Sequence, residues 1–84
     1  MFTRFFDMSS GGKEKEKWRT IIIEASEKEA CEIFEERFGH SPYNITCFCC
    51  GEDYCISEKS EKINPNYLSD CLIIYSTGEE TELE

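Results

Sequence analysis

Two short apolar runs, "IIIEA" and "CLIIY", interrupt an otherwise polar chain, and between them one segment repeats its apolar residues every three or four positions. The segment "KWRTIIIEA" carries β-branched and aromatic residues on both faces, which predicts a central strand covered on both sides. "FTRFF" near the start reads as a further strand, and "CLIIYS" as the strand that closes the sheet. In "ASEKEACEIFEERFGHSP", Ala30, Cys31, Phe34 and Phe38 recur at helical spacing, with Ile33 at the edge of the stripe. Glu27, Lys28, Glu32, Glu35 and Glu36 fall mostly on the other side. Ser26 followed by Glu29 forms a capping box, so the helix is expected to begin near residue 27. Gly39 suits the left-handed residue that ends a helix, and Pro42 forbids its continuation. Cys31, on the apolar stripe, reads as a small core hydrophobe.

The intervening segments are more polar. "MSSGGKEKEK" predicts a flexible turn, and residues 45–49 and 54–57 predict two short strands joined by "CGED" into a hairpin. "SEKSEKINPNYLSD" reads as a loop or a short helical turn near residues 66–70. The expected fold is α+β: a small antiparallel sheet of four to five strands packed on one main helix and stapled by zinc. Residues 1–78 form the single domain, and residues 79–84 an acidic, frayed tail. Residues 83 and 84 are read as an expression-vector scar.

Length explains why a staple is expected. A chain of 84 residues is one domain, and at this size folding buries only about 60% of the unfolded surface, so a metal, disulfides or a partner commonly adds stability. The start of the chain has no apolar stretch of signal-peptide length, and the longest apolar runs are too short to span a bilayer. A soluble intracellular protein without a membrane partner is therefore expected. In that compartment thiols stay reduced, so clustered cysteines point to metal or reactivity rather than structural disulfides. Eighteen acids against nine bases, a net charge of −9, argue against direct binding of nucleic acid, which requires a basic face. A basic protein partner fits the charge better, although acidity by itself also serves plain solubility.

Four of the six cysteines lie within nine positions, in "ITCFCCGEDYC". Cys47 and Cys50, two residues apart and followed by Gly51, have the form of a metal knuckle: two thiolates can face one ion from a tight turn. A closed tetrahedral zinc site needs two more ligands. Twenty residues separate Cys50 from Cys71, about the distance between paired knuckles in zinc ribbons, and His40 is the single histidine, seven positions before Cys47. The expected zinc site is His40, Cys47, Cys50 and Cys71. Cys49 is the first alternative within the knuckle, Cys55 a substitute for Cys71, and Asp53 or Asp7 an oxygen substitute for His40. His40 reads equally well as a helix C-terminal residue interacting with the last carbonyls, and the knuckle as a pair of buried thiols.

Catalysis is not expected. Hydrolytic zinc wants an open position, a general base and usually several histidines, and the HxE and PCxxC pattern of zinc deaminases is absent. A redox CxxC belongs at a helix start, whereas "GEDY" and a strand follow here.

Three stretches, "TRFFDMSSGG", "IIIEASEKEACEIFEERFGH" and "ITCFCCGEDYCISE", resemble a family of small uncharacterised proteins carried by bacteriophages and prophages, over roughly residues 3–58. The resemblance implies a phage accessory protein acting in the cytoplasm of a bacterial host. Its nearest functional category is the zinc-containing anti-CRISPR group that blocks type II Cas9, although no motif specifies that target. Cas9 exposes basic channels for guide and DNA, which suits an acidic inhibitor. Glu32, Glu35 and Glu36 on the exposed helix face are the expected partner-binding residues. A zinc-binding adaptor of host transcription or replication proteins is the alternative, and a thiol or metal-dependent enzyme the third reading.

Overall fold

Thr20–Ile23 places four buried side chains in succession, Thr, Ile, Ile and Ile, and Cys71–Ile74 does the same with Cys, Leu, Ile and Ile. Successive side chains of a strand point to opposite faces, so such runs are buried only where a sheet is covered on both sides. The computed structural model describes residues 1–8, 17–43, 54–60 and 68–83. Along the chain they form strand β1 (Phe2–Asp7), strand β2 (Thr20–Ile23), helix α1 (Glu27–Phe38), and strands β3 (Tyr54–Lys59), β4 (Cys71–Ile74) and β5 (Glu80–Leu83). The strands make one five-stranded sheet in the order β3-β1-β2-β4-β5, with β2 at its centre. The fold is α+β, one helix on a five-stranded sheet.

Two expectations need correction. The sheet is mixed rather than antiparallel: β1 runs antiparallel to β2 and β3, and β5 to β4, but β2 and β4 are parallel. The chain leaves β2 through α1 and β3 before it returns as β4 beside β2 in the same direction, a long connection of the kind that parallel strands require in place of a tight turn. The two parallel strands are the two continuous apolar runs, the composition that pairing of this kind favours. The acidic segment is not a frayed tail either, because residues 80–83 are strand β5. Thr81 lies opposite Ile73 and Leu83 opposite Cys71, both half-buried, while Glu80 and Glu82 are exposed. Gly78, at φ 93°, closes the turn before it, and the Tyr75 N–H donates to the Glu79 carbonyl at 2.8 Å. Of the expected hairpin, the arm at residues 45–49 lies outside the described residues. The other arm extends to Lys59 and pairs with β1. Of residues 66–70, 66 and 67 lie outside the described residues, and 68–70 form a non-helical connection into β4.

The helix follows its sequence signals. Ser26 is the N-cap, its Oγ accepting from the Glu29 N–H at 3.5 Å, and Gly39, at φ 76°, ends the helix with its N–H donating to the Glu35 carbonyl. The helix start is also tied to the sheet, since the Glu27 N–H donates to the Glu58 carboxylate of β3 at 2.7 Å. A carboxylate there satisfies an otherwise unpaired donor and complements the positive end of the helix dipole. Thr3 of β1, fully buried, donates from Oγ1 to the Ala25 carbonyl at 3.0 Å and so fixes the β2–α1 connection.

Two cores result, one on each face of the sheet. On the helix side, Ala30, Cys31 and Phe34 pack on Phe5, Ile21, Ile23, Tyr54, Leu72 and Ile74. Phe34 is the hub, with ring centroids 4.9 Å from Phe5, 4.8 Å from Phe38 and 5.1 Å from Tyr54. On the opposite face Ile22, Cys71 and Ile73 cluster with Phe2, Leu68, Tyr75 and Leu83 at their margin. Phe34→Ala is expected to destabilise the domain by about 3–5 kcal/mol, because it removes transfer energy and leaves a cavity beneath the helix. Urea unfolding checks this, and a loss below about 1 kcal/mol would mean that the site collapses without consequence.

At the far end of β2, Glu24 accepts from the Ser76 N–H at 2.9 Å and the Ser76 hydroxyl at 2.7 Å, clasping the β4–β5 turn. The Ser76 hydroxyl, then the Ser76 backbone, holds the Glu24 carboxyl below its ordinary 4.5. A depressed carboxyl stabilises the fold above its unfolded pKa and loses that contribution as pH falls through the folded value. Glu24→Gln is therefore expected to flatten the acid limb of stability between about pH 5 and the depressed folded value, with little change in slope at neutral pH. Thermal melts of both proteins across that range measure it.

Candidate functional site

Of the four side chains expected to bind zinc, the two that are described, His40 and Cys71, lie on opposite faces of the sheet. His40 lies just past the helix on the helix side, its ring edge-on to Phe34 at 5.4 Å and stacked on Tyr54 at 6.4 Å. Cys71 is fully buried on the opposite face, beside Ile22 and Ile73. Ligand atoms of one tetrahedral zinc ion lie within about 4 Å of each other, and a sheet separates these two. His40 and Cys71 thus stand on opposite faces of the sheet. Cys47 and Cys50, with the alternatives Cys49 and Asp53, lie outside the described residues.

The two other substitutes are placed by strand register. Phe6 pairs with Cys55 and Thr20, Thr20 with Cys71, and Cys71 with Leu83, so these five share one cross-strand row. Cys55 and Cys71 are thus three strand spacings apart, roughly 14 Å, and cannot meet at one ion. Asp7 pairs with Tyr54 and is buried on the helix side, the side of His40. Among the described residues, no three His, Cys, Asp or Glu side chains are grouped as a metal site.

The three described thiols differ sharply. Burial pushes the Cys71 thiol up to about 11, against a smaller opposing pull from Arg4. Burial likewise raises Cys31, whose Sγ donates to the Tyr43 hydroxyl at 3.2 Å. Cys55 is exposed.

Charge is segregated as well. Glu29, Glu32, Glu35 and Glu36 are exposed along the outer face of α1, whose inner face is closed against the sheet. On the far face of the sheet, the guanidiniums of Arg4 and Arg19 lie 5.4 and 5.5 Å from the centre of the Phe6 ring. Beside the acidic helix face a shallow, open groove of about 360 Å³ runs between α1 and the β4–β5 turn, floored by Ile33 and Ile74 and rimmed by Glu36, Arg37 and Glu80. Arg37 Nε and Nη2 donate to the Glu80 carboxylate at 3.0 and 3.3 Å, and Lys17 pairs with Glu82. The Lys17 hydrogen bond holds the Glu82 carboxyl below its ordinary value.

Glu32, Glu35 and Glu36 are where the helical spacing put them. Glu80 and Glu82 were missed, though the alternation of acid with Thr81 and Leu83 is the period-two signal of an edge strand. Among the described residues no helix is long and apolar enough to cross a membrane. Comparison with protein-family models, with curated proteins and with solved structures found no match to this chain.

Thiol reactivity offers a direct check on this placement. At pH 8 in the folded protein, Cys55 is expected to be alkylated readily, whereas Cys71, with about one thiol in a thousand ionised, reacts slower by at least two orders of magnitude. Peptide mapping after timed iodoacetamide treatment measures both. Equal rates would mean that the second core is open to solvent.

Proposed function

We propose that this chain is a non-catalytic binding protein that inhibits a basic bacterial protein by docking through the acidic outer face of α1. The single observation that supports this reading is that Glu29, Glu32, Glu35 and Glu36 stand exposed on one helix face whose back is locked to the sheet. A helix face on which Glu29, Glu32, Glu35 and Glu36 outnumber the single base Lys28 speeds encounter with an oppositely charged partner and disfavours phosphate backbones. The resemblance to phage accessory proteins supplies the setting, the cytoplasm of a bacterial host, and makes a Cas9 CRISPR nuclease the first partner to test. Zinc belongs to the proposal as a stabiliser. Its knuckle is Cys47 and Cys50, and we infer that it takes His40 rather than Cys71, because His40 stacks on Tyr54, which belongs to the cysteine-rich segment and lies four residues after Cys50.

Two measurements test this. Combined reversal at Glu32→Lys, Glu35→Lys and Glu36→Lys is expected to weaken binding to purified Cas9 by about tenfold or more and to flatten its salt dependence. The same variant should keep the helical circular dichroism of the parent. Absence of binding by the parent protein removes Cas9 as partner, and unchanged affinity in the variant removes the helix face. In native mass spectrometry the chain is expected to carry one zinc, which His40→Ala loses and Cys71→Ser retains. The reverse pattern would move the site to the other face of the sheet.

A further inference from the structure

Strand β5 is an edge of the sheet: among the described residues no strand lies beyond it. Its backbone direction follows from the hairpin. Because the Tyr75 N–H bonds to the Glu79 carbonyl, Tyr75 and Glu79 form a hydrogen-bonded pair, and antiparallel ladders alternate bonded and non-bonded pairs. Ile73 with Thr81 and Cys71 with Leu83 are then bonded pairs, while Ile74 with Glu80 and Leu72 with Glu82 are not. On the other side of β4, the Glu24 N–H donates to the Ile74 carbonyl at 2.8 Å, so Ile74 directs its backbone toward β2, as this alternation requires. The N–H and C=O groups of Glu80 and Glu82 consequently point away from the sheet, two donors and two acceptors spaced by roughly 7 Å. That array matches an extended backbone.

The side chains decide what kind of extended segment fits. Glu80 and Glu82 are exposed on the helix side of the edge, Glu79 stands at its start, and Glu36 rims the groove that opens beside Glu80. Arg37 and Lys17 answer Glu80 and Glu82 through surface ion pairs, which are weak and exchange readily. A second copy of β5 laid antiparallel on this edge would set acids against acids, which is unfavourable for residues facing each other across strands. A segment with lysine or arginine at alternate positions meets no such penalty.

We propose that the open edge of β5 is a strand-addition site for an extended basic segment of a partner protein, which pairs with the outward backbone groups of Glu80 and Glu82 and sets its cations against Glu36, Glu80 and Glu82. The site rests on the acidic-docking reading and gives the partner a defined seat, at the seam between α1 and β5.

The test uses the full-length ¹⁵N-labelled protein and three heptapeptides: one alternating lysine and threonine, the same peptide N-methylated along its backbone, and one alternating glutamate and threonine. With the basic peptide in excess, amide exchange at Glu80 and Glu82 should slow by about tenfold or more, while Thr81 and Leu83, already bonded to β4, stay unchanged. The N-methylated and acidic peptides should leave all four amides as they were. Binding of the basic peptide without protection at Glu80 and Glu82, or undiminished by N-methylation, would overturn strand addition and leave helix-face docking to stand on its own Cas9 measurement. Protection of the same amides by dimerisation of the unliganded protein would assign the edge to a second copy, and would overturn the proposal equally.

Discussion

Everything in this domain depends on burying both faces of two adjacent strands. Ile21 and Ile23 point to the helix, Ile22 to the opposite face, and β4 repeats the arrangement with Leu72 and Ile74 against Cys71 and Ile73. Eight successive buried positions in two short strands leave no place in their middle for a solvated side chain. The pair must lie inside the sheet and be flanked on each side, which β1 and β5 do. A single helix suffices for one face because Phe34 reaches Phe5, Phe38, Tyr54 and His40 at once. Among the described residues the exposed acids thereby lie on the helix, on the outer strands β3 and β5 and in the connections, while Thr3, Asp7 and Thr20 stay buried in β1 and β2.

This segregation is why the molecule has a charge pattern and not merely a charge. With 18 acids among 84 residues and an interior closed to most of them, carboxylates accumulate wherever backbone is exposed but ordered. Some take structural duties there: Glu58 holds the start of α1, and Glu24 clasps Ser76. Others, on the outward turns of the helix, have their aliphatic stems in solvent and are bounded by an inner face that cannot rotate out. Rigidity matters for recognition, since the backbone of a locked helix need not be ordered again on binding, and only the exposed side chains are.

The helix was legible because its signals are local. Ser26, Glu29 and Gly39 each act within four residues of their own position, and nothing distant competes with them. Strand direction was less legible because it depends on partners far along the chain, and β5 because its strand signal is masked by acids. The run "CLII" is apolar enough to mark a doubly covered strand, yet nothing within it tells that, after α1 and β3, it enters parallel to β2. In "ETEL" the acids dominate composition and hide the alternation, although Thr81 and Leu83 cover the margin of the second core. The cysteines show the same limit. A spacing of twenty residues brings Cys71 within reach of a zinc-ribbon pattern, but strand parity turns its side chain to the face away from His40, and parity is set by which neighbours in β4 must meet the helix.

An edge strand carrying acids is commonly read as protection against unwanted pairing, and here the same feature selects a partner. Like charges across an antiparallel β5–β5 contact repel, so self-association is disfavoured without any need for a proline or a bulge. The repulsion vanishes for a cationic strand, while the backbone groups of Glu80 and Glu82 are indifferent to sequence and offer the same bonds to any extended chain. Affinity from the backbone and selectivity from the side chains are thus separable at this edge. Arg37 and Lys17 sharpen the selection further: by holding Glu80 and Glu82 in place through exposed, weak pairs, they keep the carboxylates oriented along the edge, and yield them to a cation that also brings hydrogen bonds. A free lysine side chain cannot make that exchange favourable, whereas a lysine carried on an extended backbone can.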